Sequence, residues 1–205
     1  GKLMPGVTKD ALKEHASTIE EARADLFGLY YLADPKLVEL GLLPNMEAYK
    51  AGYYQQMMNG AMTQLVRIEE GKDVEEAHMR NRQLIANWVL EHANGEMEII
   101  ERDGKHYLRI NDYEGVRRLF GELLAEIQRI TSEGDYPAAK EMVEKYAVKV
   151  NPELHKEIRE RYAKLNLAPY KGFVNPVYTA IKDADGNITD VKIDFTEGYI
   201  EQHLR

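Results

Sequence analysis

The chain contains no cysteine. Disulfides and thiolate metal sites are therefore excluded, and any side-chain metal chemistry must use His, Asp and Glu. No apolar run approaches the roughly 20 residues needed to span a bilayer, and no signal peptide opens the chain. The expected compartment is the cytoplasm, with the periplasm as the alternative. A basic excess is also lacking: 27 Lys and Arg stand against 35 Asp and Glu, for a net charge of −8. The basic residues are dispersed among acids, which argues against a nucleic-acid partner. The 6 histidines stand apart, none with another four or five residues away, so no H-E-x-x-H pattern and no variant with one more residue between the histidines occurs. Internal repeats, low-complexity segments and a clear linker are absent too.

What remains is the composition of an ordinary globular protein, 44% apolar and 30% charged over 205 residues. Helical periodicity dominates. A helix is predicted from Ser17, with Ser17 and Glu20 as a capping box and Ile19, Ala22, Leu26, Leu29 and Tyr30 as its core stripe. A short helix starts at Pro35 under an Asp34 cap. The longest candidate runs from Met46 to about Glu69, its Gly52 and Gly60 marking close helix contacts. Another spans Asp73 to about Ala93, and a fourth runs from Tyr113 to Glu133 with Asn111 or Asp112 capping and Gly134 closing. Helices over 137–148 and 152–166 follow, and a last one begins at Gly198. Asp103-Gly104 and Asp185-Gly186-Asn187 each turn a β-hairpin. The predicted fold is mainly α, a multi-helix single domain over 1–205 with two β-hairpins, between all-α and α+β.

Two stretches concentrate chemistry. In STIEEARADLFGLYYLADP, Glu21 and Asp25 lie four residues apart, so their carboxylates stack on one flank of the helix and repel unless something positive joins them. Gly28 leaves a gap through which another backbone could approach. From the residues alone, a solvated charged face remains the simpler alternative to a metal site. In the second stretch, His78 falls inside an apolar arc formed by Val74, Ala77, Leu84, Ile85, Trp88 and Val89. Arg82 sits one turn further at the arc's edge, where a guanidinium calls for a carboxylate: Glu75, Glu76 or a substrate terminus. His15 and His106 are predicted to be exposed. The acids at Asp183, Asp185 and Asp190 lack the spacing of a calcium loop.

EEARADLFGLYYLADP resembles the second zinc motif, E-E-x-x-x-D/E, of the dipeptidyl-peptidase III family of zinc exopeptidases, and the likeness continues through LFGLYYLADPKLVELG. Ala22 and Asp25 match the bacterial form. The resemblance implies that Glu21 is a zinc ligand, with Glu20 and Asp25 holding the ligating imidazoles in orientation. AHMRNRQLIANWVLE is similar to the family's cleft helix. That likeness implies that His78 contacts the scissile peptide group and stabilises charge in the transition state, while Arg82 binds the peptide's carboxyl side. Glu76 stands where the family often has Gln. In LAPYKGFVNP, Lys171 matches one member of a basic pair lining the cleft and Tyr170 does not.

The family's H-E-x-x-G-H motif, which supplies two His ligands and the general base, does not occur here, and GKLMPG resembles the residues that follow it. The resemblance thus implies the C-terminal part of the catalytic lobe of a larger enzyme that releases dipeptides from the N-terminus of oligopeptides. The partners expected are an oligopeptide and the upstream polypeptide; the cofactor is zinc in the parent enzyme, absent or weakly held here, and the isolated chain is expected to be inactive. The alternative is a non-catalytic helical scaffold or peptide-binding module, in which Glu21, Asp25, His78 and Arg82 need not converge.

Overall fold

The computed structural model describes residues 3–8, 10–167 and 174–204. In chain order these form a 3-10 turn (Lys13–His15), α1 (Ala16–Leu32), α2 (Pro35–Glu39), α3 (Ala48–Ala61), a second 3-10 turn (Thr63–Arg67) and α4 (Ala77–His92). A hairpin of β1 (Met97–Arg102) and β2 (Lys105–Ile110) leads to α5 (Tyr113–Glu133), α6 (Tyr136–Val143) with its π-turn continuation (Glu144–Val148), and α7 (Pro152–Ala163). A second hairpin, β3 (Val177–Lys182) and β4 (Ile188–Asp194), precedes α8 (Tyr199–Leu204). The fold is mainly α with two antiparallel two-stranded sheets, the class that the periodicity predicts. It divides into two compact units, Gly1–Leu165 and Asn166–Arg205.

α5 follows its local sequence from end to end. Asp112 Oδ1 accepts from the N–H groups of Glu114 and Gly115, Gly134 closes the helix at φ 65°, and the predicted stripe from Val116 to Ile130 is buried. That stripe packs against α1 and α4. α4 is the central element, in contact with α1, α3, α5 and the π-turn. Accordingly it is buried around most of its circumference, at Asn81, Gln83, Leu84, Ile85, Ala86, Trp88 and Val89. Amides on this helix bond to the π-turn segment packed beside it: Gln83 Nε2 donates to Lys149 O and Asn87 Nδ2 to Tyr146 O, both at 2.9 Å. Trp88 lies face to face with His92, ring centroids 3.8 Å apart.

Several helix ends differ from prediction because tertiary contacts outbid periodicity. α1 begins at Ala16 after a 3-10 turn and has no side-chain cap; Ser17 lies inside the helix and Glu20 bonds Arg23 instead of reaching back, so no capping box forms. The same turn carries His15 inward, where its ring tilts against Tyr136 at 5.5 Å; it is buried, not exposed. The long helix predicted to Glu69 breaks at Met62 (φ −138°, ψ −60°). Beyond the break, Leu65 and Ile68 turn to form a small core with Val74. His155, itself buried, fixes that turn by placing Nε2 at 2.9 Å from Leu65 O and 3.1 Å from Ile68 O. Val74 donates its N–H to Val148 O, so α4 starts at Ala77 and not at Asp73. α7 likewise stops at Ala163, whereas α6 runs on through its π-turn to Val148, the predicted end.

In the first hairpin Asp103 (φ 53°) and Gly104 (φ 67°) form the predicted two-residue turn. His106 on β2 is only half exposed: Glu157 of α7 accepts from its backbone N–H at 3.0 Å and meets its Nδ1 at 2.6 Å. In the second unit, β3 pairs β4 so that Tyr178 faces Ile193 and Ala180 faces Val191. Asp183 organises the turn by accepting from the N–H groups of Asp185 and Asn187. Among the described residues no helix is long and apolar enough to cross a membrane.

Candidate functional site

The helix-period spacing of Glu21 and Asp25 places both on one flank of α1, and each meets a side chain from a different helix. His78 Nδ1 of α4 lies 3.1 Å from Glu21 Oε2, at ion-pair distance but without the alignment of a hydrogen bond. Gln56 Nε2 of α3 donates to Asp25 Oδ2 at 3.2 Å. Two carboxylates that would repel on a bare helix thus have an imidazole and an amide as neighbours, and three helices contribute to one face. Glu21 is 35% exposed and His78 58%. His78 therefore stands on the solvent flank of α4, not within its apolar arc. The predicted arc runs through Val74, which belongs to an extended segment, and Ala77, the first helical residue.

Glu76 holds the start of α4. Its carboxylate accepts from the N–H groups of His78 and Met79, at 2.9 and 3.0 Å, which fixes the backbone from which His78 projects. It bonds the helix end and not Arg82. Arg82 follows one turn along, half-buried, and makes no hydrogen bond or ion pair among the described residues. A guanidinium kept from full hydration without a partner has its donors available to a carboxylate or carbonyl.

The predicted glycine contacts are present. A Cβ at Gly60 would lie 2.2 Å from the Arg82 carbonyl oxygen, and one at Gly52 would lie 2.6 Å from Leu32 Cδ2. The missing side chain at residue 60 lets α3 touch the backbone of α4 where Arg82 leaves it. Gln64, beyond the break in α3, donates to Gly60 O at 3.3 Å and Met79 O at 3.0 Å, binding the same junction. Gly28 differs: nothing described lies within 4 Å of a Cβ there, so the gap foreseen at this residue is open surface.

Other predicted site residues lie elsewhere. Glu20 pairs with Arg23 at 2.6 Å, turned from the Glu21 flank, and Lys171 and Tyr170 lie outside the described residues. Gln56 was not singled out in the sequence. Its position beside the buried Tyr53 and Met57 is the signal that could have found it, since a flanking amide on a buried stripe needs a partner. Zinc needs about three protein ligands. Among the described residues no three His, Cys, Asp or Glu side chains converge, so these residues by themselves do not make up a whole zinc site.

Against this geometry, the model of peptidase family M49 matches residues 5–202. The chain belongs to peptidase family M49. No curated protein matches it. Among solved structures, this M49 chain is similar to DPP III from Caldithrix abyssi, at 26% identity and a TM-score of 0.53. The likeness covers 78% of this chain and 28% of that one, so the M49 chain described here spans a minor part of that protein's length.

Proposed function

We propose that this chain is one part of a zinc-dependent M49 exopeptidase that releases dipeptides from the N-terminus of oligopeptides. The observation that carries the proposal is the meeting of Glu21 and His78, 57 positions apart, on adjoining flanks of α1 and α4. A scaffold would not require that convergence. The second support is the 28% span of the DPP III relative, which leaves room for the two His ligands and the general base on polypeptide outside these 205 residues.

Each residue then has a task. Glu21 supplies one carboxylate ligand, and Asp25, steadied by Gln56, keeps an oxygen for an imidazole N–H from the other polypeptide segment. Glu20, paired with Arg23, adds negative charge at the edge of that helix. Zinc, when bound, would supply Lewis acidity towards the scissile carbonyl and the attacking water. His78, exposed and close to Glu21 without being locked to it, is placed to turn towards the peptide group and stabilise charge there. Arg82 binds the carboxyl side of the peptide, and Lys171 adds a cation to the cleft. By this account the chain alone neither holds zinc tightly nor hydrolyses peptides.

The experiment is zinc content and dipeptide release for this chain alone and for a polypeptide joined to a segment bearing H-E-x-x-G-H. Stoichiometric metal and activity only in the joined form, both lost in Glu21→Gln, are expected. Joined protein that binds zinc equally well without Glu21 would refute the assignment.

A further inference from the structure

A groove of about 820 Å³ runs between α1 and α5. It lies across α1 from the candidate metal flank, because Arg23 on its rim is two residues from Glu21 and so about 200° around the helix. Its α1 wall is aromatic. Phe27 and Tyr31 stay 56% and 43% exposed, with ring centroids 4.7 Å apart, on a helix whose other face is core. Tyr30 forms the floor. Its ring edge lies so close to Gly121 that a Cβ there would sit 2.9 Å from Tyr30 Cε2, so the absence of a side chain at residue 121 keeps the groove deep.

The charges inside are unevenly matched. Arg23 is taken up by Glu20, and Arg118 by Glu96 and Glu122. Glu114 accepts from the hydroxyl of Tyr49 at 2.9 Å. Arg117 is fixed without being neutralised: its Nε donates to Tyr30 O at 3.0 Å and its guanidinium lies 5.0 Å from the centre of the Tyr30 ring. Among the described residues no carboxylate lies within ion-pair distance of it, and its Nη groups have no protein acceptor. A guanidinium immobilised on an aromatic face, with donors unused, is organised to bind an anion beside apolar surface.

We propose that this groove binds a peptide segment of a partner, with an aromatic or aliphatic side chain seated on Phe27, Tyr30 and Tyr31 and an adjacent carboxylate on Arg117. The pairing follows from charge complementarity: the apolar wall fixes the side chain, and the one lining cation without a carboxylate, among the described residues, fixes the acid. The site is independent of the metal and can be tested on the 205-residue chain.

The probe is N-acetyl-L-phenylalanine, compared with its primary amide, titrated into the isotope-labelled chain while amide shifts at Gly121 and Phe27 and the Arg117 Nε–H are followed. A ligand this small is expected to bind with a Kd on the order of 1 mM. The acid should bind about tenfold or more tightly than the amide, and added salt should shrink that difference. Arg117→Gln should remove the selectivity and Phe27→Ala should weaken acid and amide alike, with circular dichroism unchanged. Shifts that do not saturate at these residues, or equal affinity of acid and amide for the unsubstituted chain, would overturn the proposal without recourse to any variant. If Arg117→Gln fails to fold, Arg117→Lys, which keeps charge and loses the planar fork, should still reduce the selectivity; unchanged selectivity in it would count against the assignment.

Discussion

Replacing Gly60 by alanine sets two effects of known sign against each other. In an unobstructed helix interior the exchange stabilises by about 1 kcal/mol, because alanine has the better helix propensity. At residue 60 the new Cβ would stand 2.2 Å from Arg82 O, 2.8 Å from Arg82 C and 3.0 Å from Ala86 Cβ. The nearest of these is backbone and cannot rotate away. α3 and α4 must separate by about 0.8 Å to restore even a 3.0 Å contact. Overpacking of this kind costs about 1–3 kcal/mol, and the upper half of that range applies, because α4 is enclosed by α1, α3, α5 and the π-turn. The net expectation for Gly60→Ala is a loss of about 1–2 kcal/mol. Gly28→Ala, where nothing described lies within 4 Å, should gain about 0.5–1 kcal/mol. Urea unfolding of both variants gives the answer through the midpoint, provided the slope m is unchanged. If Gly60→Ala raises the midpoint as Gly28→Ala does, the close approach of α3 to α4 is wrong, and with it the placement of Arg82.

Further outcomes follow from the same contacts. His155→Leu leaves the Leu65 and Ile68 carbonyls without the imidazole that meets both, and should destabilise by about 1–3 kcal/mol in the same urea assay. Arg82→Met should change stability by no more than about 0.5 kcal/mol, since no described residue pairs with it, while raising KM in an active M49 enzyme; a large stability loss would argue for a structural role. Burial pushes the Glu157 carboxyl up, but the hydrogen bonds from His106 and Arg161 outweigh it and hold the acid below its ordinary value of 4.5. A carboxylate depressed in the folded state contributes stability that is present above that value and lost as pH falls through the lower folded pKa. Urea midpoints measured from neutral pH into the acid range should therefore fall less steeply below about 4.5 in Glu157→Gln than in the parent chain.

How far the sequence could be read depended on the range of the forces involved. α5 was legible to within a residue, because an Asp cap, a continuous apolar stripe and a terminal Gly act within one element. The break at Met62 was not, because Tyr49, Tyr53, Met57, Ala61 and Leu65 keep helical spacing straight through it. The turn there depends on His155 and Val74, which are distant in the chain. The flank shared by Glu21 and Asp25 followed from periodicity alone. The meeting of Glu21 with His78 did not, and only the resemblance to zinc exopeptidases put the two in one cleft. Gln56 escaped notice because its partner lies on another helix, and His78 was misassigned to the apolar arc because the start of α4 was set four residues too early.

The stack of Trp88 on His92 makes the protein its own spectroscopic probe. Trp88 is the only tryptophan in the chain and sits 8% exposed on the central helix, so indole emission, excited apart from the tyrosines, comes from a single known place. A fluorescence change on ligand addition or unfolding can then be assigned to α4 without deconvolution. With no native thiol to compete, one cysteine introduced at an exposed position such as Ser17 would carry an acceptor dye at a unique site. Energy transfer from the indole to that dye would measure the separation of α1 and α4 as metal, peptide or a segment bearing H-E-x-x-G-H is added.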